Sequence, residues 1–151
     1  MSESKTETEA VLVLTQRVAA PPDAVFDFLV EPEKVLRWMG TAIDIEPQPG
    51  GRFRLDVNGT DIASGTYVEV ERPNRVVFTW GWEGSTDVPP GSTTVSFTLT
   101  ADGDATVVEL RHDGLPGGFG DTHADGWGHF LPRLALAAVG EDPGPDRHTS
   151  S

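Results

Sequence analysis

The chain contains no cysteine. That excludes disulfides, thiolate zinc sites, iron–sulfur clusters and cysteine nucleophiles. Basic residues are scarce. Eleven Lys and Arg stand against 24 Asp and Glu, giving a net charge of −13 and a pI near 4.5. Nucleic-acid backbones and anionic lipid surfaces both call for a basic face, so neither partner is expected. Long apolar runs are also missing. None approaches the roughly 18 residues that would signal a membrane span, and the N-terminus has no basic and apolar leader pattern. A cytoplasmic protein is expected.

What is present fits one domain. The 151 residues suffice for a real core, although only 37% are hydrophobic. Residues 1–10 (MSESKTETEA) and 140–151 (GEDPGPDRHTSS) are polar and acidic, each with a net charge of −2. Segments of that composition bury too little to offset chain entropy. They are expected to be disordered tails around a domain at 11–139. The domain keeps −9 of the charge.

Residues 11–18 alternate, with Leu12, Leu14 and Val18 on one face, and read as a strand. Pro21, Pro22 and Asp23 stop it and open a short helix carrying Val25, Phe26 and Leu29. Pro32 ends that helix, and 33–38 reads as a second one. From residue 41 the period is two. Apolar faces recur at Ile43 and Ile45, at Phe53, Leu55 and Val57, at Val76, Phe78 and Trp80, at Val95, Phe97 and Leu99, and at Val108 and Leu110. Asn58-Gly59 signals a two-residue hairpin. The Gly-rich stretch 114–120 (GLPGGFG) breaks the strand pattern. Trp127, Phe130, Leu131, Leu134 and Ala138 then recur at helical spacing, with Asp121 or Thr122 as a cap and Pro132 as a kink. The helix is expected to end near Val139, with Gly140 at its C-terminus.

The expectation is an α+β domain: a curved antiparallel sheet of six to seven strands, two short helices after the first strand, and a long C-terminal helix on the inner face. Such a sheet rarely fills its concavity, so a cavity between sheet and helix is the default ligand site. Loops 84–91 and 114–120 would gate it.

Four segments carry a family resemblance. They are APPDAVFDFLVEPEKVLRWM at 20–39, PGGRFRL at 49–55, SGTYVEVERPNRVVFTW at 64–80 and HADGWGHFLPRL at 123–134. In this order they resemble the SRPBCC (START and birch-pollen-allergen) superfamily, in the branch of the activator of heat-shock protein 90 ATPase. The resemblance spans 11–139 and implies a helix-grip fold.

Inward-facing aromatics, aliphatics and histidines make the candidate ligand contacts: Trp38, Phe53, Leu55, Phe78, Trp80, Phe97, His112, His123, Trp127, Phe130 and Leu131. Trp82, past Gly81, is expected at the rim. His112 shares the parity of Val108 and Leu110, which makes it a candidate acid or base; His123, one turn before Trp127, is the other. His129 is expected to face solvent. Arg54 and Asp56 should lie on a solvated outer face, and Glu69 and Arg75 should form a local salt bridge. No H-x-E or H-E-x-x-H spacing occurs, so neither metal nor cofactor is expected. There is no G-x-S-x-G elbow and no phosphate-cradling glycine loop.

The function expected first is binding of a small hydrophobic or aromatic molecule. The resemblance implies two alternatives. One is a chaperone or regulator interaction protein; the other is a cyclase- or dehydratase-like enzyme using His112 or His123. A monomer or homodimer fits either.

Overall fold

A computed structural model describes residues 9–116, 118 and 120–143. Strand β1 (Glu9–Val18) leads into helices α1 (Pro22–Val30) and α2 (Pro32–Val35). Six strands follow: β2 (Ala42–Ile45), β3 (Arg52–Asp56), β4 (Ile62–Glu71), β5 (Arg75–Trp80), β6 (Thr93–Asp102) and β7 (Ala105–Pro116). Helix α3 (Gly120–Ala137) comes last.

The seven strands form one sheet in the order β1-β7-β6-β5-β4-β3-β2, antiparallel throughout. Strands β2 to β7 follow one another as hairpin neighbours. Helices α1 and α2 carry the chain from one sheet edge to the other. Arg72, at the end of β4, fixes α1 there with bonds to Asp23 (2.7 Å) and Asp27 (2.6 Å).

The period-two faces and the helical face meet in one core. Trp127, Phe130, Leu131, Leu134 and Ala137 of α3 are buried in the same cluster as Phe78, Val95, Phe97, Leu99, Val108 and Leu110 of the sheet. This is the sheet-and-helix packing that the alternation and the final amphipathic segment predict, and the helix-grip fold that the resemblance implies. The outer face is charged as expected: Arg54 pairs with Glu83 at 2.8 Å, and Arg75 pairs with Glu69 at 3.3 Å.

Several boundaries differ from expectation. Strand β1 begins at Glu9, inside the expected tail, and Glu9 pairs with Pro116. Residues 1–8 and 144–151 lie outside the described residues, and with them most of both expected tails. Helix α2 stops at Val35. The next turns tighten into shorter-range bonds, Arg37 N–H to the Lys34 carbonyl and Trp38 N–H to that of Val35. The Asn58-Gly59 signal yields a five-residue connection, since Asp56 pairs with Ile62. Asn58 Oδ1 accepts the amides of Thr60 (3.0 Å) and Asp61 (2.8 Å), an Asx turn that replaces the tighter hairpin.

Gly114 continues β7 where a break was expected. Its φ of +87° lies beside a register shift between Ala10 and Leu12 of β1, so it forms a bulge within the ladder. Gly117 and Phe119 of that stretch lie outside the described residues. Helix α3 starts at Gly120, which places Asp121 and Thr122 in its first turn and not at its cap. It continues past Pro132 to Ala137 and closes with Glu141 N–H on the Leu136 carbonyl, a Schellman-type bond.

Candidate functional site

A cavity of about 240 Å³ opens between the sheet and the N-terminal half of α3. Its apolar wall is Met39, Val57, Trp80, Trp82, Val88, Trp127 and Phe130. Asn58, Asp61, Ser85, Thr122, His123 and Gly126 complete the lining. Three loops position these groups. The Asx turn after β3 brings in Asn58 and Asp61. The connection between β5 and β6 folds back through Trp82 N–H to the Val88 carbonyl (2.7 Å), which seats Val88 and Ser85. The chain after α2 supplies Met39.

Among the expected contacts, Trp80, His123, Trp127 and Phe130 line the cavity. Trp38, Phe53, Leu55, Phe78, Phe97, His112 and Leu131 do not; they are buried in the core beneath it. Strand parity and helical spacing marked these side chains as inward but carried no depth. Trp38, for example, is tied by its indole N–H to the Phe28 carbonyl at 2.8 Å and meets Phe97 edge-on. Trp82 is half-buried and lines the cavity, as its parity past Gly81 predicts.

His112 is fully buried, and its hydrogen bonds assign its tautomer. The Trp127 indole, which can only donate, gives its N–H to Nδ1 at 3.1 Å. The Thr93 hydroxyl gives its proton to the Trp80 carbonyl at 2.7 Å. It therefore accepts from Nε2–H of His112, 2.8 Å away. The ring is neutral, with its proton on Nε2. Protonating Nδ1 would set two donors face to face. Burial, and then the neighbouring His123, push the His112 pKa down to about 3. The expected acid or base is thus a structural hub that ties β5, β6, β7 and α3 together.

His123 occupies a different position. It lines the cavity, and its Nε2 accepts the Trp82 indole N–H at 3.0 Å. That bond links α3 to the rim. Its ring stands 5.2 Å from that of His112. His129 is half-buried, edge-on to Phe130 at 4.9 Å. Among the described residues, no group of three or more His, Asp or Glu is arranged to hold a metal ion.

Sequence reasoning passed over Met39, Asn58, Asp61, Val88 and Gly126. Gly126 did carry a signal. A glycine inside a helix costs roughly 1 kcal/mol relative to alanine, and here a side chain built on it would meet nothing within 4 Å. The space it leaves belongs to the cavity.

Two buried polar atoms, Trp80 Nε1 and the Tyr67 hydroxyl, have no hydrogen-bond partner among the described residues. Burial pushes the Tyr67 phenol well above its usual pKa. Leaving such a group unsatisfied costs about 1–3 kcal/mol. Tyr67→Phe is therefore expected to leave stability unchanged or to raise it by up to about 1 kcal/mol. A loss above about 1 kcal/mol in urea unfolding would show that the hydroxyl has a partner.

The fold and the cavity define an α+β helix-grip domain with an aromatic-lined cleft. The sequence profile of the family described as Activator of Hsp90 ATPase homolog 1-like protein matches residues 19–138, and the chain belongs to that family. It is similar to an AHSA1-like protein of Rhizobium etli whose solution structure is known. Identity is 42% over 93% of this chain and 89% of that one, with a TM-score of 0.74. It is also similar to CalU16 of Micromonospora echinospora, at 29% identity over 89% of this chain and 69% of that one, with a TM-score of 0.74. An HSP90 activator of Plasmodium falciparum, at 20% identity over 86% and 96% of the two chains, shares the fold at a TM-score of 0.70. No curated protein matches the chain. Among the described residues, no helix is long and apolar enough to cross a membrane.

Proposed function

We propose that this protein binds a small, largely apolar aromatic molecule in the cavity between its sheet and α3. The observation that carries this reading is the cavity itself, with three tryptophan rings in a wall that also contains Met39, Val57, Val88 and Phe130. Its volume, about 240 Å³, lies between the roughly 150 Å³ cavity that admits benzene and the roughly 300 Å³ at which drug-sized pockets begin. One or two rings fit that space.

The family description carries the chaperone-contact reading. The cavity carries this one from the chain's own residues, and so it leads. Acid–base chemistry at His112 is disfavoured, because both its nitrogens are engaged inside the core.

Titration with a panel of uncharged one- and two-ring aromatics should shift the indole N–H resonances of Trp82 and Trp127. Gly126→Leu should place its side chain in the cavity and weaken binding at least about tenfold. It should also gain up to about 1 kcal/mol of helix stability. If no panel member shifts those resonances at millimolar concentration, or if the leucine variant binds as tightly as wild type, the cavity is not a binding site.

A further inference from the structure

Resting on that reading, we propose that the cavity prefers a one- or two-ring aromatic bearing a protonated amine, and that Asp61 sets the preference. Among the described lining residues, Asp61 is the one with a carboxylate, and none is Lys or Arg. The other titratable side chain in the lining, His123, accepts the Trp82 indole N–H at Nε2.

The carboxylate is positioned in advance. Asn58 Nδ2 donates to Asp61 Oδ2 at 3.0 Å, Asn58 Oδ1 accepts the Asp61 amide, and the Val57 amide donates to the Asp61 carbonyl at 2.9 Å. These bonds close the loop, so little ordering remains to be done when a cation arrives.

The rest of the wall favours the same ligand. Trp80, Trp82 and Trp127 line the cavity, and indole rings attract both aromatic rings and, through their quadrupoles, positive charge. A ligand that fills the cavity displaces water beside Asp61. The lower local dielectric then strengthens attraction for a cation and repulsion for an anion alike. The chain's net charge of −13 adds a long-range bias of the same sign.

Three compounds of matched shape test the charge: 2-naphthylmethylamine, 2-naphthylmethanol and 2-naphthoic acid, titrated at neutral pH and low salt by tryptophan fluorescence. The amine is expected to bind at least about tenfold tighter than the acid, with the alcohol between them. Asp61→Asn should bring amine and acid within about threefold of each other. In the wild type, raising salt should narrow the amine-to-acid ratio, a readout that needs no variant. An acid that equals or beats the amine, or a preference that survives in Asp61→Asn, overturns the proposal. If the alcohol binds while the charge order fails, only Asp61's role is lost. If none of the three binds, the cavity reading falls with it.

Discussion

Stability is expected to fall by up to about 1.4 kcal/mol per pH unit as the solution is acidified below the ordinary histidine pKa of about 6.5, with His112 as the main cause. In the unfolded chain this imidazole takes up a proton near its ordinary pKa. In the folded protein burial and His123 hold its pKa down to about 3. Between those values the unfolded state binds one more proton than the native state. Stability is therefore fully present above about pH 6.5 and is lost progressively toward pH 3, amounting to roughly 3–5 kcal/mol over the window.

His112→Gln should flatten that slope. Gln carries one acceptor and one NH₂ donor, so the variant offers both hydrogen-bonding functions without a titrating group. Urea unfolding at several pH values between about 6.5 and 4.5, above the range of most carboxylates, measures both slopes. A flat wild-type profile, or an unchanged slope in the variant, would show that His112 is not the residue responsible.

Gly81→Ala is expected to cost at least about 3 kcal/mol, in the range reserved for severe steric defects. A Cβ at this position would lie 1.7 Å from the Pro89 carbonyl oxygen and 2.7 Å from the Pro90 Cα. Both neighbours are backbone, so no side chain can rotate aside. Gly81 is itself anchored, since its carbonyl accepts the Ser64 amide at 2.9 Å. The connection between β5 and β6 would have to lift, taking Val88 away from the cavity. A functional loss should therefore accompany the stability loss. Gly128→Ala is the control: a side chain there meets nothing within 4 Å, and a gain of up to about 1 kcal/mol is expected. A cost below about 1 kcal/mol for Gly81→Ala would mean that the loop yields easily and does not depend on this close approach.

These two residues mark how far the sequence could be read. The parity of His112 with Val108 and Leu110 placed it on the inner face, and that placement holds. Parity does not report whether an inner position reaches the cavity or lies beneath it. That depends on what crosses the strand, here the indole of Trp127 from a helix 15 residues further along the chain. At Gly81, alternation treated the glycine as an interval between two tryptophans. Its need to be a glycine comes from a loop that folds back onto the strand. Asn58 was visible as a turn residue, but a hairpin signal does not tell which cavity the turn borders.

Local chemistry alone determined the element types and their order. Alternation over residues 41–112, prolines at the helix starts and the apolar stripe of the last helix act through neighbours a few positions away. The absence of cysteine and the scarcity of basic residues bounded the chemistry in the same direct manner. Tertiary structure decided the bulge at Gly114, the neutral tautomer of His112, the burial of seven of the expected ligand contacts and the placement of Asp61 at a cavity wall. Each of these depends on groups far apart in the chain meeting at a few ångströms, where sterics and donor–acceptor matching set the outcome and local pattern carries no information.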